Sequence, residues 1–283
     1  MWPKALQEWF AAQGYGRAPQ RHAIGGGSIS KAWRVTAPGK PPLFIKINTQ
    51  APEGFFAAEA EGLNYLHKMA NVCVPAVRTL GDSFLVLEYI ASGQAKADFW
   101  PTLARQLATL HQCVRGEFGF FNHNYCGSTV QNNTFCADGY AFFVHQRLWP
   151  LATEAHADAL LAPGDLADLE KLIARLPQLI PPQSASLLHG DLWSGNVHTT
   201  EAGEPMFIDP AVYFAWPEID LAMTQLFGGF PEVFYRAYLE ANPLEPGWRE
   251  RLPLYNLYPL LNHLVLFGGS YLSGVRRVLR QFA

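Results

Sequence analysis

Apolar positions recur at two different periods along this chain, and the change of period divides it. Leu6, Trp9 and Phe10 fall on one face of a helix predicted over residues 1–13. After Ile24-Gly25-Gly26-Gly27-Ser28-Ile29-Ser30, the run Ala32-Trp33-Arg34-Val35 reads as a strand. A Pro/Gly turn over residues 38–42 leads to Leu43-Phe44-Ile45-Lys46-Ile47, a buried strand carrying one lysine. Residues 55–69 read as a helix and residues 83–90 as a further strand. The first 90 residues thus predict helix, glycine turn, strand, turn, strand, helix, strand.

Beyond Ala91-Ser92-Gly93 the helical period dominates. Residues 100–113 predict an amphipathic helix. A loop-rich insert with Asn122, Asn124, Asn132 and Asn133 runs to about Gly139. Residues 164–176 read as helix, Leu187-Leu188 enters a polar motif, and Met206-Phe207-Ile208 is a short strand. The remainder reads as mostly helical, with no internal repeat. The expected architecture is α+β: a small β-rich lobe over residues 1–90, and a larger, mostly α-helical lobe over residues 91–283.

Composition narrows the classes. The 283 residues are 49% apolar and 16% charged, against about 25% charged in typical domains, so the chain can bury a substantial core. A net charge of −3 leaves no electrostatic footprint for nucleic acid. Cys73, Cys113, Cys126 and Cys136 form no C-x-x-C pair and are too few for a disulfide framework, so free thiols are expected. Met1-Trp2-Pro3-Lys4 opens no signal-peptide run. Residues 258–275 are interrupted by Asn262, His263 and glycines, short of the roughly 20 apolar residues of a membrane span. These features point to a cytoplasmic protein with neither a nucleic-acid nor a membrane partner.

The chemistry lies in His189-Gly190-Asp191-Leu192-Trp193-Ser194-Gly195-Asn196 and in Asp209, which follows the apolar Met206-Phe207-Ile208. Phosphoryl transfer needs a group for the incoming hydroxyl's proton, metal ligands, and cations on the phosphates. Asp191 can take the proton. Asn196 and Asp209 can ligate Mg²⁺, which prefers one or two carboxylates plus phosphate oxygens. Lys46, flanked by apolar residues, is costly unless paired. Glu59 on the next helix is the natural partner and Glu61 the alternative. Together the pair would hold the phosphates of ATP. Gly25-Gly26-Gly27-Ser28 can bring backbone N–H groups close to a phosphate, although an ordinary hairpin turn fits the same string. Glu88-Tyr89-Ile90, where the lobes meet, could bond an adenine edge through the backbone. No Gly-x-x-x-x-Gly-Lys-Ser/Thr string exists, which sets aside a P-loop nucleotidase.

These motifs, with Asp209-Pro210-Ala211-Val212-Tyr213 and Pro217-Glu218-Ile219-Asp220, resemble the fructosamine kinase (ketosamine-3-kinase) family. That family is aminoglycoside-phosphotransferase-like, with a two-lobed protein-kinase-like fold. Phe118-Gly119-Phe120, Asn124, Gly127-Ser128-Thr129 and Gln131-Asn132 resemble its characteristic insert, and Gln146-Arg147-Leu148 continues the match. So do Leu257-Tyr258-Pro259-Leu260-Leu261-Asn262-His263 and Leu266-Phe267-Gly268-Gly269. The resemblance implies ATP-dependent phosphorylation of a sugar 3-hydroxyl on a small-molecule ketoamine or glycated lysine. The sequence does not fix the oligomeric state, with a monomer slightly favoured. It makes Asp191 the base, Asn196 and Asp209 the Mg²⁺ ligands, and Lys46 with Glu59 the phosphate-positioning pair. Asp220 is expected to orient the catalytic loop, and His189 to be a structural hydrogen-bonding residue. Trp193 flanks the sugar or packs the loop. Ser28 stands where many relatives carry a cysteine, which argues against a loop disulfide. The alternatives are a kinase of another hydroxyl compound, such as an aminoglycoside or choline, and a nucleotide-binding pseudokinase.

Overall fold

Alternating side chains in the first lobe put two apolar faces on one antiparallel sheet, and a helix covers each. The computed structural model describes residues 2–25 and 29–283. The sheet contains β1 (Gln20–Ile24), β2 (Lys31–Thr36), β3 (Leu43–Ile47), β4 (Val77–Gly81) and β5 (Phe84–Glu88), in the order β1-β2-β3-β5-β4. Leu43 and Ile45 of β3, with Phe84 and Val86 of β5, meet Trp2, Leu6 and Phe10 of the first helix and its approach. That helix is α1 (Lys4–Ala12). Leu85 and Leu87 point the other way, onto Phe56, Ala60 and Leu63 of α2 (Phe55–Ala70). Lys46 lies between Ile45 and Ile47 and therefore on the α2 side of the sheet, because successive strand residues alternate faces.

The sequence pattern anticipates three strands here; the sheet has five. The two additions, β1 and β4, are the sheet edges. β1 is mostly exposed, and β4 alternates half-buried with exposed positions. An edge strand buries less and so carries a weaker hydrophobic signal. The strand expected over residues 83–90 ends at Glu88.

Residues 89–93 lead into the second lobe, where Ser92 bridges Thr200. Its core surrounds α3 (Phe99–His111) and a three-stranded sheet of β6 (Val114–Arg115), β9 (Ala185–Leu188) and β12 (Tyr213–Ala215), in the order β12-β9-β6. Two hairpins flank this core. One is β7 (Asn124–Cys126) with β8 (Thr129–Gln131), inside the insert read as loop. The other is β10 (Val197–Thr199) with β11 (Pro205–Phe207). Helices α4 (Gly139–Phe143) and α5 (Trp149–Ala157) are joined by a π-helical turn, Val144–Leu148. The remaining helices are α6 (Pro163–Leu179), α7 (Glu218–Leu226), α8 (Glu232–Ala241), α9 (Trp248–Tyr255), α10 (Leu257–Phe267) and α11 (Leu272–Phe282). Among the described residues no helix is long and apolar enough to cross a membrane. All four cysteines are free.

Candidate active site

Lys46 Nζ lies 2.7 Å from Glu59 Oε1 and 2.7 Å from Asp209 Oδ1. Of the two possible partners on α2, only Glu59 reaches the lysine. Glu61 lies two residues on, about 200° around the helix, and accepts bonds from Asn122 Nδ2 at 2.9 and 3.1 Å. Burial acts to lower the Lys46 pKa, but the Asp209 and Glu59 carboxylates outweigh it and raise the pKa. Burial pushes the Glu59 carboxyl up, against the pull of Lys46. The site therefore holds a fixed ammonium shared by two lobes. The Asp209 side chain remains 42% exposed, open to the cleft it lines.

The loop after β9 is held from below by Asp220. Its Oδ2 accepts the His189 N–H at 2.7 Å and its Oδ1 the Gly190 N–H at 2.9 Å. His111 Nε2 lies 3.2 Å from the same Oδ2, while its Nδ1 meets the Tyr238 hydroxyl at 2.7 Å. His189 Nδ1 accepts the Asp191 N–H at 3.3 Å, so Nε2 carries the ring proton and donates to Ile208 O at 3.0 Å. Both ring nitrogens are committed and burial lowers the pKa. This imidazole is a spacer between two loops and not a base.

Asn196 Nδ2 donates to Asp191 O at 2.8 Å and to Asp191 Oδ2 at 2.9 Å. With both N–H groups used, the amide oxygen is left for a ligand. The Ile208 N–H donates to Asn196 O at 3.1 Å, bringing the Asp209 segment alongside. Asp209 adopts a left-handed backbone with φ 54°, which costs a non-glycine residue about 1–2 kcal/mol. Gly190 has φ +85°, and a Cβ there would lie 1.9 Å from Ala211 O. Gly190→Ala is therefore expected to destabilise the fold by about 2 kcal/mol or more, read from urea midpoints, and to part the two loops.

Burial pushes the Asp191 carboxyl up to about 7; the Asn196 bond opposes this, and the charges of Asp209 and Asp220 add to it. A raised pKa means the folded state holds a proton that the unfolded chain, titrating near about 3.9, releases. This stabilisation is complete below about pH 4 and is lost as pH rises through about 7, at up to about 1.4 kcal/mol per pH unit. Asp191→Asn lacks it. The stability of the variant relative to wild type should therefore improve between about pH 5 and about pH 7.5 in metal-free buffer. A pH-independent difference would show that Asp191 titrates normally.

These groups open on one cleft of about 870 Å³ between the lobes, within the usual range for ligand sites. Gly25, Lys46, Glu59, Glu88, Tyr89, Ile90, Asp191, Asn196 and Asp209 all line it. Gly26, Gly27 and Ser28 lie outside the described residues. At the lobe junction the Glu88 N–H is taken by Ala76 O at 2.9 Å and the Tyr89 N–H by Pro42 O at 3.3 Å. The Glu88 carboxylate is held by Arg78 at 2.8 Å. Of the three expected adenine contacts, Ile90 is thus the one whose N–H has no partner among the described residues. Tyr89 presents its ring to Arg34, 4.7 Å away.

The opposite end of the cleft is aromatic, and of its rings the sequence reading singled out only Trp193. Trp193 meets Phe227 edge-on at 5.7 Å, Phe227 meets His263 at 5.2 Å, and Phe267 and Tyr271 close the cluster around His263. The Trp193 ring also covers Gly195, where a Cβ would fall 2.2 Å from it. It therefore both packs the loop and faces the cleft. Of the other rings, Phe227 ends α7, His263 and Phe267 lie on α10 and Tyr271 follows it, positions that read as ordinary core. Among the described residues, no cluster of three or more His, Cys, Asp or Glu side chains could hold a metal by itself. The oxygen donors of Asn196 and Asp209 suit magnesium, which completes its shell with water and phosphate.

A sheet-and-helix lobe carrying a lysine–glutamate pair, facing a helical lobe with Asp191, Asn196 and Asp209, defines a protein-kinase-like phosphotransferase. A family model described as fructosamine kinase matches residues 1–283. A probable ketoamine kinase of Synechocystis sp. is 36% identical over 272 residues, covering 94% of this chain and 90% of the relative. The chloroplastic protein-ribulosamine 3-kinase of Oryza sativa subsp. japonica is 31% identical over 290 residues, covering 98% and 83%. A crystal structure from Thermobifida fusca with a provisional fructosamine-3-kinase assignment superposes with a TM-score of 0.85 at 33% identity, covering 92% of each chain. The chain belongs to the fructosamine kinase family.

Proposed function

We propose that this protein is an ATP-dependent ketoamine kinase that phosphorylates the 3-hydroxyl of fructosamine- or ribulosamine-type glycation adducts. The observation that carries the reading is the convergence of Lys46, Glu59, Asp191, Asn196 and Asp209 on one cleft in a chain of this family. Lys46, oriented by Glu59, would hold the nucleotide phosphates. Asn196 and Asp209 would hold Mg²⁺, whose charge offsets that developing on the transferred phosphoryl group. Asp191 would accept the proton of the sugar hydroxyl as its oxygen bonds to the γ-phosphorus and the bond from that phosphorus to the β-bridging oxygen breaks. ADP leaves with that oxygen. The domain reading, residues 1–90 for the nucleotide and 91–283 for catalysis and acceptor, follows from the same assignment. The acceptor would be met in the cytoplasm, where the product could initiate deglycation.

The acceptor end supports a ketoamine over an aminoglycoside. The carboxylates lining the cleft are Glu59, Glu88, Asp191 and Asp209. Basic residues hold all but Asp191. A polycation would seek several free carboxylates there, whereas the aromatic rings offer apolar contact and room for one ammonium. The deciding experiment incubates the protein with ATP, Mg²⁺ and a panel of fructosamines, ribulosamines, an aminoglycoside and choline. Gain of one phosphate on a ketoamine, placed on the third carbon by phosphorus–proton NMR, is expected. Transfer only to the aminoglycoside or choline, or to nothing, would overturn the reading.

A further inference from the structure

The insert between β6 and α4 carries several matched family motifs, yet only a few of its residues reach the cleft. Three of its amide side chains turn inward, one of them, Asn124, at the cleft wall. Asn124, Gln131 and Asn133 are buried, and Arg147 on the π-helical turn is 1% exposed. Arg147 has no carboxylate partner among the described ion pairs. Its guanidinium lies 4.2 Å over the Tyr213 ring and 4.6 Å over that of Phe142. Burying such a cation is expensive unless its donors are used. Nη1 donates to Asn132 O at 2.7 Å and to Gln146 O at 2.9 Å, and Nη2 to Asn133 Oδ1 at 2.6 Å. The second of these has a sequence cause. Pro150 has no N–H to offer the carbonyl four residues before it, and Arg147 fills the gap.

From Arg147 the bonds run in one direction. Asn133 Nδ2 donates to Asn124 Oδ1 at 2.8 Å, and Asn124 Nδ2 donates to Val212 O at 2.7 Å. Gln131 Nε2 adds bonds to Asn124 Oδ1 at 3.0 Å and to Ala211 O at 3.5 Å, and its Oε1 accepts the Tyr258 hydroxyl at 2.8 Å. A charged donor at the head polarises each successive amide. The chain ends on two consecutive carbonyls, two and three residues after Asp209. That segment in turn grips the catalytic loop, since the Ala211 N–H donates to His189 O at 2.9 Å.

We propose that Asn124, Gln131, Asn133, Arg147 and Tyr258 form a clamp that positions Asp209 for the divalent cation. They are positioning residues, and the assignment rests on the kinase reading above. Outer-shell partners of metal ligands typically contribute about 10–100-fold in metal affinity. The test is calorimetric binding of a non-hydrolysable ATP analogue with and without Mg²⁺, in wild type, Gln131→Met and Tyr258→Phe. Neither substituted residue lines the cleft. Wild type is expected to bind more tightly with Mg²⁺. Both variants should keep the Mg²⁺-free affinity within about twofold, while the Mg²⁺-dependent tightening falls by about tenfold or more in Gln131→Met and less in Tyr258→Phe. Should Gln131→Met fail to fold by thermal melting, Tyr258→Phe decides alone. Full tightening retained in the folded variants overturns the clamp and leaves the kinase reading intact, as does an equal loss of affinity with and without Mg²⁺. A wild type with no Mg²⁺ effect overturns the metal assignment and the clamp together.

Discussion

Asp191→Asn will lower kcat by about 10²–10⁴, the range for loss of a general base, with the KM for ATP little changed. The substitution keeps the volume of the side chain and an oxygen to accept the Asn196 Nδ2 bond, now 2.9 Å long. The loop itself hangs on main-chain bonds from His189 and Gly190 to Asp220, which do not involve the Asp191 side chain. What disappears is the ability to take a proton. Burial has already raised the carboxyl to about 7, which brings a base close to neutral pH, where proton transfer is most effective. His189 cannot substitute, because both its nitrogens are engaged. Steady-state turnover with the preferred ketoamine is the measurement; near-normal kcat would remove Asp191 from the role.

Asp209→Asn should be as severe, with a loss of about 10³-fold or more, because a cation on the transferring phosphoryl group is worth several kcal/mol. Asparagine is the informative choice. It tolerates the left-handed backbone that Asp209 adopts at φ 54°, so loss of turnover cannot be blamed on local refolding. Lys46 would lose one of its two carboxylates and keep Glu59 at 2.7 Å. Nucleotide affinity without Mg²⁺ should therefore survive while the Mg²⁺ effect disappears. Mg²⁺-dependent transfer persisting at wild-type rate would end the metal assignment.

The two substitutions probe opposite sides of one seam. Asp191 and Asp209 sit on separate loops, and the seam is closed by one ring bond, His189 Nε2 to Ile208 O, and two backbone bonds, Ala211 N to His189 O and Ile208 N to Asn196 O. A glycine is required at 190 because the loops meet too closely for a side chain. This rigidity suits phosphoryl transfer, in which the protein contributes position and charge more than covalent chemistry.

Much of this site is legible in the order of residues. Asp191 and Asn196 share one short loop, so their spacing alone determines that they meet. Asp209 follows a buried strand whose apolar run is visible, and Lys46 betrays itself as a charge inside an apolar pentapeptide. These are local signals, set by strand alternation and turn chemistry, and they need no knowledge of the rest of the chain. The edge strands β1 and β4 were not legible, since a strand paired on one side can stay polar. Only the tertiary structure decided that Glu59 and not Glu61 faces Lys46, because helix phase is set when Phe56, Ala60 and Leu63 pack on the sheet. It alone placed the aromatic end of the cleft, whose rings come from the catalytic loop, the end of α7, and α10 with the turn after it. It alone turned the insert's asparagines and glutamine, which read as loop, into a buried relay from Arg147 to Val212. That relay's last step joins Asn124 to Val212, 88 positions away, and hydrogen bonds over such separations leave no periodic trace in a sequence.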